Sequence, residues 1–126
     1  AQETVRRLAA AGFNLAVVSS SPLVLIEFLV EKLELTDCFR LLVSSDVVEK
    51  GKPEPDVYAY ACGQLGVQPV DAAAVEDSAG GIMAAVNAGL FVVAVPNHAF
   101  PPPDAVLAKA DRVVASLPEV LPLFLA

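Results

Sequence analysis

A three-layer α/β fold built on a mostly parallel sheet is predicted for this chain by two observations. Short apolar runs at residues 15–18, 41–43, 72–75, 91–95 and 112–115 alternate with helix-spaced segments, which is the pattern of successive βαβ units. Polar groups gather at or just past the ends of these runs: Ser19 after the first, Lys52 in the loop beyond the second, Glu76 and Asp77 after the third. A parallel sheet collects the carboxyl ends of its strands along one edge, so groups far apart in sequence can meet there around one ligand. A hydroxyl, an ammonium and two carboxylates suit a phosphate with its magnesium ion.

Residues 2–11 carry Val5, Leu8 and Ala9 at helical spacing, with Arg6 and Arg7 between them and Gly12 where a helix would stop. The run 15–18 leads into Ser19-Ser20-Ser21-Pro22, strand chemistry followed by a helix start, with Ser21 expected as N-cap and Pro22 at the first helical position. That helix is expected to run to about residue 35, turning Leu25, Ile26, Leu29 and Leu33 inward and Glu27, Glu31 and Lys32 to water. A second strand at 41–43 runs into Ser44-Ser45-Asp46. Residues 49–56, with Gly51, Pro53 and Pro55, read as a loop feeding a helix from near Pro55 to Leu65, with Gly66 as its stop. The third strand, 72–75, is followed by a small-residue helix over 79–88 and Gly89. A fourth strand at 91–95, a stiff Pro101-Pro102-Pro103 connector, a short fifth strand at 112–115 and a closing helix over 117–125 complete the chain.

Composition narrows the function classes. The 126 residues make one domain, and 56% hydrophobic residues supply ample material for a core. A net charge of −7 argues against nucleic acid or an anionic membrane as the main partner, since both would be repelled. The longest apolar stretch, 23–30, is interrupted by Glu27 and falls far short of the roughly 20 residues that span a bilayer. The first residues have neither a basic nor an apolar region of a secretory signal. Cys38 and Cys62 lack metal-ligand spacing and read as reduced core residues, so a cytoplasmic setting is expected.

Each candidate residue has a plainer reading. Ser19 offers a hydroxyl where a strand gives way to a helix N-terminus, a natural place for an anion, whereas Ser20 and Ser21 alone would only cap and solvate the turn. Lys52, in Gly51-Lys52-Pro53-Glu54-Pro55-Asp56, is kept extended by Pro53; alone it would be one more solvated lysine. Adjacent carboxylates at the end of a buried strand are unfavourable unless a cation or donors compensate them, although Asp77 or Ser78 could simply cap the next helix. Gly80 and Gly81 weaken a helix by about 1 kcal/mol each relative to alanine, so either a close backbone approach or tight strand packing must account for them.

Three segments in this order, Val17-Val18-Ser19-Ser20-Ser21-Pro22, Gly51-Lys52-Pro53-Glu54-Pro55-Asp56 and Val75-Glu76-Asp77-Ser78-Ala79-Gly80-Gly81, resemble the later motifs of haloacid dehalogenase-like hydrolases, nearest to the subgroup of β-phosphoglucomutase and phosphoglycolate phosphatase. The resemblance implies that Ser19, helped by Ser20, binds the transferring phosphoryl group, that Lys52 neutralises phosphate and nucleophile, and that Glu76 and Asp77 hold Mg2+. The substrate would be a small phosphorylated metabolite. The family's nucleophile is an aspartate in an Asp-x-Asp motif on a strand upstream of all these segments, and no aspartate here stands in such a pair. That strand lies centrally in the family sheet, between those ending at Ser19 and Glu76. The expectation is therefore a single core-domain fragment over residues 1–126, without the family's cap, almost inactive alone. Its gap would be closed by direct pairing of the flanking strands or by a strand from a homodimer partner or a complementing N-terminal segment. The alternative is a non-catalytic module of the same fold.

Overall fold

The computed structural model describes residues 1–125. Its helices and strands run α1 (Gln2–Ala10), β1 (Leu15–Ser19), α2 (Leu23–Lys32), β2 (Phe39–Ser44), α3 (Asp56–Leu65), β3 (Ala73–Glu76), α4 (Ala79–Ala88), β4 (Phe91–Ala94), α5 (Asp104–Leu107), β5 (Arg112–Val113) and α6 (Leu121–Phe124). Glycine ends two helices where the backbone turns left-handed, Gly66 at φ 70° after α3 and Gly89 at φ 89° after α4.

The strands form two parallel sheets rather than one. β1 pairs with β2, from Leu15 opposite Phe39 to Ser19 opposite Ser44. β3 pairs with β4 from Ala73 opposite Phe91 to Glu76 opposite Ala94, and β4 with β5. β1 and β3 face one another without a ladder between them. The expected direct pairing is therefore not what the chain adopts. A cleft of about 720 Å³ separates the two strands, floored by Tyr58, Ala61 and Cys62 of α3 and flanked by Thr4 and Leu8 of α1. The main core lies behind it, where Val43, Val57, Ile82, Val92 and Ala94 join α3 and α4 to both sheets. Opposite the carboxyl ends of the strands, Phe124 stacks edge-on against Phe13 and Phe91, with ring centroids 6.0 and 6.3 Å away. One aromatic side chain thus links the segment leading into β1 with the first residue of β4.

Several elements differ from the sequence reading for identifiable reasons. Pro22 is the N-cap of α2, not its first helical residue, because its ψ of 145° is extended. Ser21 lies one residue before the cap and is tied by its backbone: its N–H donates to Ser19 Oγ at 3.1 Å and its carbonyl accepts from Ser44 Oγ at 2.7 Å. α2 ends at Lys32 since Glu34 turns left-handed at φ 58°, which brings Leu35 back to pack with Ile26 and Val30. The inward face is therefore Ile26 and Val30, while Leu25, Leu29 and Leu33 are exposed. The closing helix is broken into a 3-10 turn at Leu117–Val120 and the short α6, each with a proline as its second residue that cannot donate a backbone bond. The triple-proline connector feeds α5, a helix not expected from the sequence, with Pro103 as its N-cap.

Candidate functional site

The carboxyl ends of β1 and β3 form the mouth of the cleft, and Lys52 reaches across it. Its Nζ donates to the Val18 carbonyl at 3.1 Å and to Glu76 Oε2 at 2.7 Å. The lysine thus joins the last turn of one half-sheet to the last residue of a strand in the other. It is mostly buried, with 13% of its side chain exposed against 8% for Glu76, so the pair lies in a medium that screens it poorly. The peptide from Lys52 to Pro53 is cis, and the ammonium lies 5.4 Å from the centre of the Tyr58 ring.

Sequence reasoning missed the third member of this group. Tyr58, buried in the first turns of α3, donates its hydroxyl to the same Glu76 oxygen that takes Lys52. Burial, the charge of Glu76 and the hydrogen bond to it, in that order, hold the phenol far above its ordinary pKa of 10.0, so it remains a donor. The available signal was a tyrosine among apolar neighbours on a core-facing helix, since a buried phenol needs a partner for its hydroxyl.

Glycine makes room for the carboxylate. A Cβ on Gly81 would stand 1.9 Å from Glu76 Oε1 and 2.3 Å from its Cδ, closer than real contacts allow. The glycine allows a close approach, and what approaches it is the side chain of Glu76, the last residue of the neighbouring strand β3. Gly80 faces freer space, with Lys52 Cβ 4.0 Å from where its Cβ would lie. Ser78, not Asp77, caps α4, accepting from the Gly81 N–H at 3.2 Å.

Asp77 parts from its neighbour. Glu76 turns inward, whereas Asp77 is exposed at the start of the turn into α4. Its backbone is held from the far side, because Asn97 N–H donates to the Asp77 carbonyl at 3.1 Å and Val95 N–H to that of Glu76 at 2.8 Å. A recess of about 560 Å³, lined among others by Asp77, Asn97, His98 and Ser116, opens beside it. Ser19 ends β1 next to the carbonyl that Lys52 takes; its Oγ accepts from the Ser21 N–H and its carbonyl accepts from Ser45 Oγ at 3.4 Å. Ser20 is exposed in the turn. Among the described residues no group of three or more His, Cys, Asp or Glu gathers as a ready-made metal cage. Beside Glu76, which is taken up by Lys52 and Tyr58, Asp77 can offer a hard cation an exposed carboxylate, and magnesium commonly takes only one or two protein carboxylates, with water and phosphate completing its shell.

Three comparisons bear on this arrangement. A family model described as haloacid dehalogenase-like hydrolase matches residues 1–95. The bifunctional riboflavin kinase/FMN phosphatase of Arabidopsis thaliana is 36% identical over 121 residues, 95% of this chain and 31% of that protein. The validoxylamine A 7'-phosphate phosphatase of Streptomyces hygroscopicus subsp. limoneus is also 36% identical over 121 residues, covering 95% of this chain and 55% of the relative. Among solved structures, CbbY from Rhodobacter sphaeroides in complex with phosphate superposes with a TM-score of 0.85 at 31% identity, over 94% of this chain and 53% of that one. The chain thus spans from about a third to about half the length of these proteins.

Proposed function

The chain belongs to the haloacid dehalogenase-like hydrolases, with relatives of β-phosphoglucomutase and phosphoglycolate phosphatase type, and from that premise we propose that it forms the C-terminal part of the core of a magnesium-dependent phosphohydrolase or phosphomutase. The observation that carries the proposal is Lys52 spanning the mouth of the cleft, bound on one side to the end of β1 and on the other to Glu76. An acidic residue on a strand seated between β1 and β3 would end beside this ammonium. The cleft fits such a strand: its walls are the unpaired edges of two parallel strands, and its lining is largely apolar.

In this reading the seated strand brings the nucleophilic aspartate. Ser19, with Ser20 beside it, donates to the transferring phosphoryl group at the end of β1, and Lys52 offsets the negative charge gathered between phosphate and nucleophile. Asp77 holds Mg2+ directly, while Glu76 contributes from behind, by fixing Lys52. When bound, the ion would neutralise phosphoryl charge as it develops. The substrate is a small phosphorylated metabolite, the class to which the named substrates of the relatives belong. Free Cys38 and Cys62 suit a reducing, cytoplasmic setting.

The test is hydrolysis of p-nitrophenyl phosphate with Mg2+. The chain alone should show no turnover. Supplying an Asp-x-Asp strand, in the same polypeptide or as a separate peptide, should restore turnover that Asp77→Ala and Lys52→Ala abolish. Turnover by the chain alone that Asp77→Ala removes would place the nucleophile within these 126 residues and refute the reading. Filling of the cleft without any turnover would favour the second reading, a non-catalytic module. The open edges of β1 and β3 support that alternative in one form, a dimer sharing strands, which sedimentation distinguishes from a monomer.

A further inference from the structure

We propose that Tyr58 is a positioning residue that acts on Lys52 through Glu76. Three contacts converge on one carboxylate. Tyr58 donates to Glu76 Oε2 from α3, Lys52 donates to the same oxygen from the loop before that helix, and Gly81 of α4 leaves the space into which the carboxylate turns. The carboxylate is thereby held inward, away from Asp77, and presents a fixed acceptor to the lysine. Tyr58 has no other hydrogen-bond partner among the described residues, and as a neutral donor it steadies the carboxylate without competing for its charge. Without that donor the Lys52 contact must hold the carboxylate alone, and the side chain is free to swing toward Asp77 and water. The consequence falls on Lys52, whose anchor on the β3 side is weakened while its bond to the Val18 carbonyl remains.

The part of this inference that concerns activity rests on the phosphoryl-transfer reading above; the part that concerns Lys52 does not. The test compares wild type with Tyr58→Phe, which keeps the ring and removes the hydroxyl. Lysine acetylation under limiting reagent, followed site by site by mass spectrometry with Lys32, Lys50 and Lys109 as internal references, should show Lys52 labelled at least about tenfold faster in the variant, the scale set by losing one hydrogen bond to a charged acceptor. A rise of less than about twofold would overturn the proposal. A second measurement needs no change at Tyr58: the 13C resonance of its Cζ, read against exposed Tyr60, should move toward the Tyr60 position in Glu76→Gln. An unmoved resonance would likewise overturn it. With the cleft strand supplied, Tyr58→Phe should lower kcat for p-nitrophenyl phosphate about tenfold while the half-saturating Mg2+ concentration stays within about twofold. An effect confined to Mg2+ affinity would show that the tyrosine serves the cation and not the lysine, against the proposal. Wild type that neither turns over nor binds Mn2+ would refute the phosphohydrolase reading alone, and the labelling ratio would still decide the role of Tyr58.

Discussion

Replacing Gly81 by alanine sets helix propensity against the Glu76 site, and the geometry decides which wins. Alanine in place of glycine normally favours a helix by about 1 kcal/mol. At Gly81 the new Cβ would lie 1.9 Å from Glu76 Oε1 and 2.8 Å from Oε2. The carboxylate cannot give way locally, because Lys52 holds it at 2.7 Å and Tyr58 holds the same oxygen. It must leave, losing two hydrogen bonds to a charged group, worth about 1.5–3 kcal/mol each. The expelled carboxylate is solvated, but it leaves the mostly buried Lys52 with the Val18 carbonyl alone and the buried Tyr58 hydroxyl without an acceptor, which adds to the cost. Set against the gain in helix propensity, the net loss is at least about 2 kcal/mol. For 126 residues the entropy of unfolding is on the order of 0.26 kcal/mol/K, so the midpoint of thermal unfolding should fall by at least about 7 °C. Gly80→Ala is the control one residue earlier in α4: its Cβ would meet only Lys52 Cβ, at 4.0 Å, and stability should rise by up to about 1 kcal/mol. Calorimetry on the three proteins gives the answer. If both alanines stabilise, Glu76 does not sit against Gly81 and the account of the site is wrong.

Other outcomes follow from the same structure. Ile26→Ala should cost about 2–4 kcal/mol in urea unfolding and Leu29→Ala under about 1, because Ile26 is 4% exposed and Leu29 47%; equal losses would refute the placement of the α2 face. Tyr58 should make the fold sensitive to alkali. Its pKa lies above the unfolded value of 10.0, so its contribution is complete below pH 10 and is lost as pH rises beyond it, at about 1.4 kcal/mol per unit. Stability of Tyr58→Phe should lack that slope between pH 10 and 12, and an unchanged slope would contradict the buried phenol. Asp77→Asn in the strand-supplied protein should weaken Mn2+ binding by at least about tenfold in electron paramagnetic resonance titrations. Retained affinity would move the cation elsewhere.

What could be read from the sequence is what local rules govern. The ends of α3 and α4 follow from Gly66 and Gly89, and strand order follows from apolar runs separated by helices. Ser19, Lys52 and Glu76 lie near the cleft mouth because strand ends in such a fold share an edge. Long-range choices were not legible. Every turn of α2 offers apolar residues, so periodicity could not single out Ile26 and Val30; the left-handed turn at Glu34, which returns Leu35 to the same cluster, made the selection. The hydroxyl of Tyr58 and the missing side chain of Gly81 acquire meaning only once α3 and α4 are packed on either side of Glu76.

The division into two half-sheets reverses the usual ordering of backbone protection. In a continuous parallel sheet the central strands are bonded on both edges, and their amides exchange with solvent most slowly. Here β1 is bonded to β2 alone and β3 to β4 alone, so each leaves one row of backbone groups turned toward the cleft. In deuterium exchange alternate amides along these strands should separate into fast and slow sets, with the fully laddered β4 the slowest strand of all. Any chain that enters the cleft would erase the alternation one amide at a time, and would thereby reveal its own register.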